Sequence, residues 1–142
     1  MTEATTIHVD IVSAEGELFA GDAKMVFASA SEGDIGIAPR HAPLLSLLKP
    51  GEVRVQTPDG VEHHFFVGGG AIEVQPSKVT ILADTALRAK DIDEAAALAA
   101  KQRAEEALQD KSGHMTQAEA LAELSRVAAM LKVLKRIRDQ RG

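Results

Sequence analysis

The sequence predicts an all-β sandwich followed by an antiparallel α-helical hairpin, with the change at about Arg88. Three observations carry this expectation. All five prolines and nine of the eleven glycines lie before Arg88, and these residues punctuate short strands and turns. Between them, apolar and polar residues alternate, as in Ile7-His8-Val9-Asp10-Ile11-Val12, the two-residue period of a half-buried strand. After Arg88, alanine, leucine and charge take over, with two helix-start signatures. The expected domains are a sandwich over residues 1–88 and a hairpin over 89–142.

In chain order, the first strand ends at the Glu15-Gly16 turn, and Glu17 to Phe19 resumes one before Gly21-Asp22. Met25 to Ala28 is the next. Val53 to Thr57 and Val61 to Val67 flank Pro58-Asp59-Gly60, the clearest hairpin signal of the chain. Ala71 to Val74 and Lys78 to Leu82 flank a second turn, Gln75-Pro76-Ser77. Many short strands with closely spaced turns imply a sandwich or barrel rather than a parallel sheet.

The hairpin follows from capping chemistry. Asp91 with Glu94 reads as a capping box that opens a helix running towards Leu108, and Ser112-Gly113 stops it. Thr116 with Glu119 is a second capping box, opening a helix that runs to about Arg138. The first helix carries an alanine stripe that includes Ala95, Ala99 and Ala107. Leu121, Leu124, Val127, Met130, Leu131, Val133, Leu134 and Ile137 in the second cover more than one face near its end. A helix packed only on its hairpin partner needs one apolar stripe. Two uses for the surplus stay open: packing on the sandwich, or a second partner met in another conformation.

One stretch resists both patterns. Ser31-Glu32-Gly33-Asp34-Ile35-Gly36-Ile37-Ala38-Pro39-Arg40-His41-Ala42-Pro43-Leu44-Leu45 holds two glycines and two prolines, so it cannot be a helix. Ile35, Ile37, Leu44 and Leu45 ask for burial. It reads as a rigid, irregular connection, either a structural corner or a segment preformed for recognition.

Composition narrows the function. With 142 residues, the chain makes one domain or two small ones, and with 3% aromatics its core is aliphatic. There is no cysteine, hence no disulfide or thiolate chemistry. Met1 to Thr6 lacks a basic region and an apolar run, so no signal peptide is expected. No stretch approaches the roughly 20 apolar residues of a membrane helix, so membrane association is expected only through a partner. The net charge of −5 divides into +5 from Arg126 onward and −10 before it. A basic tail on an acidic body suggests a partner for the tail. Nucleic acid fits poorly, because the body repels phosphate and the chain has no Trp or Tyr to stack bases.

Other motifs carry no chemistry. Gly68-Gly69-Gly70 lacks the Lys-Ser/Thr of a phosphate loop and reads as a bulge or a close backbone approach. His63 and His64 are adjacent on a strand and point to opposite faces, so they chelate poorly. No metal site is expected from these or from the scattered His8, His41 and His114. His41 has no nucleophile placed with it by any motif. An alternative remains: a small ligand-binding β-domain or hydrolase using the His41 loop.

The central stretch also carries a resemblance. SEGDIGIAPRHAPLL with Lys49-Pro50-Gly51 resembles the signature of the epsilon subunit of bacterial F-type ATP synthases. The likeness continues through Val12 to Glu15, Gly68 to Val74 and Val79 to Ala86. It implies a ten-stranded sandwich and a non-catalytic, cofactor-free subunit of the central rotor stalk. That subunit is peripheral, on the cytoplasmic face of the bacterial cell membrane. It couples proton flow to ATP synthesis and restrains hydrolysis. By matching motif, Glu32 and Asp34 face the c-ring, and Ser13, His41 and Ser46 face the gamma subunit. The hairpin reaches the catalytic alpha and beta subunits through the tail cations Arg126, Lys132, Lys135, Arg136 and Arg138. Some members bind ATP through Ile/Leu-Asp-x-x-Arg-Ala. Here Ile92-Asp93-Glu94-Ala95-Ala96-Ala97 has Ala96 in the arginine's place, which implies weak ATP binding or none.

Overall fold

The computed structural model describes residues 5–109 and 115–141. The alternating residues form eight strands: β1 (Ile7–Ser13), β2 (Gly16–Ala23), β3 (Met25–Ala30), β4 (Gly33–Ile37), β5 (Leu44–Gln56), β6 (Glu62–Gln75), β7 (Lys78–Ala83) and β8 (Ala86–Arg88). A short 3-10 turn (Ala89–Asp91) leads to α1 (Glu94–Gln109), and α2 (Gln117–Arg141) follows. The strand order is β2-β1-β7-β6-β5-β3-β4, with β8 also paired to β6. Every pairing is antiparallel except β1 with β7.

The strands number eight rather than ten because two of them do double service. β5 and β6 run for 13 and 14 residues, and each serves both halves of the sandwich. At one end β6 pairs with β7, which carries the sheet on to β1, and at the other β5 pairs with β3, which carries it on to β4. The points of change hold Pro50-Gly51 on β5 and Gly68 to Gly70 on β6. Gly69 and Gly70 sit at φ 106° and 128°, a region glycine alone enters freely. A Cβ on Gly70 would come within 2.1 Å of the Leu82 carbonyl oxygen. The triple glycine is thus a close backbone crossing inside a single strand, not a break between two.

One aliphatic cluster fills the sandwich. It joins Ile7, Val9 and Ile11 of β1 to Val26 and Ala28 of β3, Val53 and Val55 of β5, and Ile72 and Val74 of β6, all nearly or fully buried. Among the described residues, none beyond β8 belongs to it. A second cluster joins Phe66 of β6 to Ala89, Ile92, Ala97, Ala100, Val127, Met130 and Val133. The surplus apolar surface of α2 therefore packs on the sandwich in this structure. Burying each such aliphatic side chain is worth about 1.5–3 kcal/mol.

Three sequence expectations shift in detail. The first helix is capped by Asp93, whose Oδ1 accepts from the Ala96 amide at 3.1 Å. Asp91 instead closes the preceding 3-10 turn. The buried alanines of α1 are Ala97, Ala100 and Ala104, while Ala95 and Ala99 are exposed, because the face turned to Phe66 and α2 runs through Ala97 and Ala100. The central stretch is regular up to Ile37 as β4, and irregular only from Ala38 to Pro43. Thr116 caps the second helix as expected: the Glu119 amide donates to Thr116 Oγ1 at 3.1 Å, and the Thr116 hydroxyl donates to Glu119 Oε1 at 3.0 Å. The Ser112-Gly113 stop and His114 lie outside the described residues.

Candidate partner-binding surfaces

The register of the sheet creates an apolar row that no single segment reveals. Leu47 pairs with Ala71, Ala71 with Leu82, and Leu82 with Val12. Together they form one line across β5, β6, β7 and β1 on the outward face. Leu47 is 67% exposed and Leu82 57%, and Leu45, two residues along on the same face, is 73% exposed. The expectation that Leu45 would be buried is corrected here: it alternates with Leu44, which packs against the core, so the two point to opposite faces. Two exposed leucines in register with Ala71 and Val12 across four strands are more than scattered surface apolar residues.

The predicted partner residues border this face without forming one cluster. Ser46 and Ser13 end neighbouring inward rows, Ser46–Ile72–Ile81–Ile11 and Leu48–Gly70–Ala83–Ser13. They lie three strand spacings apart, roughly 15 Å. Ser13 works locally, its Oγ accepting from the Glu15 amide at 3.3 Å in the β1–β2 turn. Ser46 Oγ donates to the Leu47 carbonyl at 3.0 Å. His41 follows Arg40, a non-glycine residue at φ 65° whose amide donates to the Pro76 carbonyl at 2.8 Å. That bond ties the loop to the β6–β7 turn. Nδ1 of His41 lies 2.7 Å from the Ala42 carbonyl oxygen. Glu32 occupies the tip of the β3–β4 turn and Asp34 begins the exposed side of β4. Both carboxylates face solvent.

The opposite outer face is charged, and α2 covers it. Glu52, Arg54, Glu62 and His64 stand there on β5 and β6. His64, its side chain only 8% exposed, lies 3.1 Å from Glu52 and 3.3 Å from Glu62. Arg54 stacks over the Phe27 ring at 4.3 Å. Arg136 of α2 brings Nε to 2.5 Å from Glu52 Oε1. Its N–H is not aimed at that oxygen, so this contact is an ion pair rather than a hydrogen bond. Gln140 donates to Glu62 at 3.0 Å. Partial burial opposes ionisation of Glu62, but hydrogen bonds from Gln56 and Gln140, with Arg54 and His64 close by, prevail. They hold its carboxyl below the ordinary range.

The tail cations thus divide among different tasks. Arg126 donates to Glu123 on its own helix at 2.5 and 3.1 Å. Arg138 reaches Glu94 of α1 at 2.7 Å. Lys132 and Lys135 are exposed on α2, and among the described residues no ion pair is seen for either. The sequence missed the apolar row and the Glu52–Arg136 contact. Both depend on residues far apart in the chain.

Comparisons with known proteins agree on the family. The family described as "ATP synthase, Delta/Epsilon chain, beta-sandwich domain" matches residues 6–89, and its "long alpha-helix domain" matches residues 90–135. An ATP synthase epsilon chain of Nitrosococcus oceani is 62% identical over 139 residues, covering 98% of this chain and 99% of that one. One from Alkalilimnicola ehrlichii is 59% identical over 134 residues, covering 94% and 96%. Among solved structures, a chain of the Euglena gracilis mitochondrial ATP synthase superposes with a TM-score of 0.72 at 17% identity, over 100% of this chain and 85% of that one. At that identity the likeness speaks for the fold. Sandwich, hairpin and near-full-length relatives lead to one conclusion: the chain belongs to the ATP synthase delta/epsilon family, on its epsilon branch.

Proposed function

We propose that this chain is the non-catalytic epsilon subunit of the central rotor stalk of a bacterial F-type ATP synthase, where it couples proton translocation to ATP synthesis and restrains hydrolysis. The observation that carries the reading is the pair of unlike outer faces on one sandwich. One is an uncovered apolar row, Val12–Leu82–Ala71–Leu47. The other is charged and occupied by the chain's own helix. The apolar row is the surface for the gamma subunit, and Ser13, Ser46 and the His41 loop are further contacts to it. Glu32 and Asp34, exposed at the β3–β4 turn, are placed to meet basic residues of the c-ring. The family assignment replaces the hydrolase or ligand-binding alternative built on His41.

No helix among the described residues is long and apolar enough to cross a membrane. Attachment at the cytoplasmic face therefore runs through the ring and gamma. The hairpin is the regulatory element. Docked, it spends Arg136 and Arg138 on Glu52 and Glu94. Released, it offers those cations, with Lys132 and Lys135, to acidic surfaces of the catalytic alpha and beta subunits. The test is deletion of the residues after Arg126 in the assembled enzyme. ATP hydrolysis is expected to rise while assembly is preserved, and unchanged hydrolysis would remove the inhibitory role. Replacing Leu47 and Leu82 with Asp is expected to abolish recovery of gamma with the subunit.

A further inference from the structure

We propose that the cleft between the sandwich and the last turns of α2 is a binding site for a small amphipathic anion, an aryl or short acyl chain carrying one carboxylate. The cleft has a volume of about 800 Å³, within the size range of small-molecule sites, which favour boundaries between structural modules. One wall is aromatic. Phe19 lies against His63 with ring centroids 5.3 Å apart, and against Phe65 edge-on at 5.8 Å. Phe65 is buried in the sandwich core and backs Phe19, which is the ring left partly exposed at the cleft. Leu134 and Ile137 of α2 form the opposite wall, and both are only half buried. Apolar surface on two sides with open space between fits a hydrocarbon or aryl group.

The rim sets the sign of the ligand. Arg88 and Lys90 stand at the edge of the cleft, and both are exposed. Arg88 Nη2 donates to the Leu18 carbonyl at 2.6 Å, which fixes the guanidinium beside the opening with its other N–H groups spare. The acid lining the cleft, Glu62, is already engaged by Gln56 at 2.8 Å and Gln140 at 3.0 Å. The uncommitted charge is therefore positive, within a body that is −10 before Arg126. A carboxylate head at Arg88 and Lys90 places its tail between the two apolar walls. A ligand touching both walls binds only while α2 is docked, so mass action makes it hold the hairpin down. That regulatory consequence rests on the function proposed above. The site itself does not, because it is tested on the isolated chain.

The experiment uses the isotopically labelled full chain with phenylbutyrate as the probe and its uncharged analogue phenylbutanol as the control. Saturable NMR shifts are expected together at the Phe19 and Phe65 rings and at the Leu134 and Ile137 methyls. Phenylbutanol is expected to bind about tenfold more weakly, and Lys90→Gln or Arg88→Gln to weaken phenylbutyrate several-fold to about tenfold. Bound probe is expected to slow amide exchange in the last turns of α2. Equal affinity for the alcohol overturns the proposal, as do indifference to both rim variants and shifts centred on Leu45, Leu47 and Leu82. So does a preference for anionic lipid vesicles over the soluble probe. Failure here would leave the hydrolysis test of the hairpin untouched.

Discussion

Arg136 of α2 lies 2.5 Å from Glu52 of β5, tying the last turns of the hairpin to the outer face of the sandwich. The Glu52 side chain is 11% exposed and that of Arg136 39%, so the pair is partly shielded from solvent. Glu52→Gln is expected to weaken docking by about 1 kcal/mol, roughly fivefold in the docking equilibrium. Amide exchange along α2, compared between the two proteins, reads this. Equal protection would mean the apolar contacts alone hold the helix.

Among the described residues, none beyond β8 belongs to the sandwich core, so a fragment of residues 1–88 is expected to unfold cooperatively on heating. It would expose Phe66, which is fully buried only because the hairpin lies over it. In the full chain, Phe66→Ala is expected to cost about 3–5 kcal/mol, while the same change in the fragment costs much less. Equal losses in both would show that Phe66 belongs to the sandwich core.

Gly70 and Gly60 both have positive φ, but only Gly70 is crowded. A Cβ on Gly70 would meet the Leu82 oxygen at 2.1 Å, whereas one on Gly60 meets nothing within 4 Å. Gly60→Ala is expected to cost about 1 kcal/mol from its backbone conformation alone. Gly70→Ala is expected to cost more than about 3 kcal/mol, since two backbones must separate. Chemical denaturation of both variants makes the comparison, and similar midpoints would contradict the close crossing.

Glu123 reports on pH. Its hydrogen bond from Arg126, outweighing partial burial, holds the carboxyl below the ordinary glutamate range. A depressed folded-state value means the pair contributes stability above the unfolded pKa of about 4.3 and loses it as pH falls through the lower folded value. The hairpin is therefore expected to lose stability in acid, and Glu123→Gln to flatten that part of the profile. Identical profiles for the two proteins would dissociate Glu123 from the effect.

ATP is expected to bind weakly or not at all. Ala96 offers phosphate nothing, and the neighbouring Asp93 already caps the helix by accepting from the Ala96 amide. Calorimetric titration of the isolated subunit tests this. Micromolar binding would refute it, and a gain by Ala96→Arg would support the stated cause.

By itself the sequence determined what is local. Alternation placed the strands, Pro58-Asp59-Gly60 their clearest turn, and Thr116 with Glu119 the start of α2, because periodicity and capping act within a few residues. Even there, the first cap fell two residues early: Asp93 accepts from the Ala96 amide, while Asp91 ends the preceding 3-10 turn. The tertiary structure decided which apolar residues are covered. Leu45 reads like a core residue yet stands outward, whereas Phe66 is buried under a helix more than fifty residues away in the chain. It also gathered Glu52, His64 and Arg136 into one contact. Register between β5, β6, β7 and β1 sets those outcomes, and register is fixed by the whole sheet closing on a single core, which no local window of the chain contains.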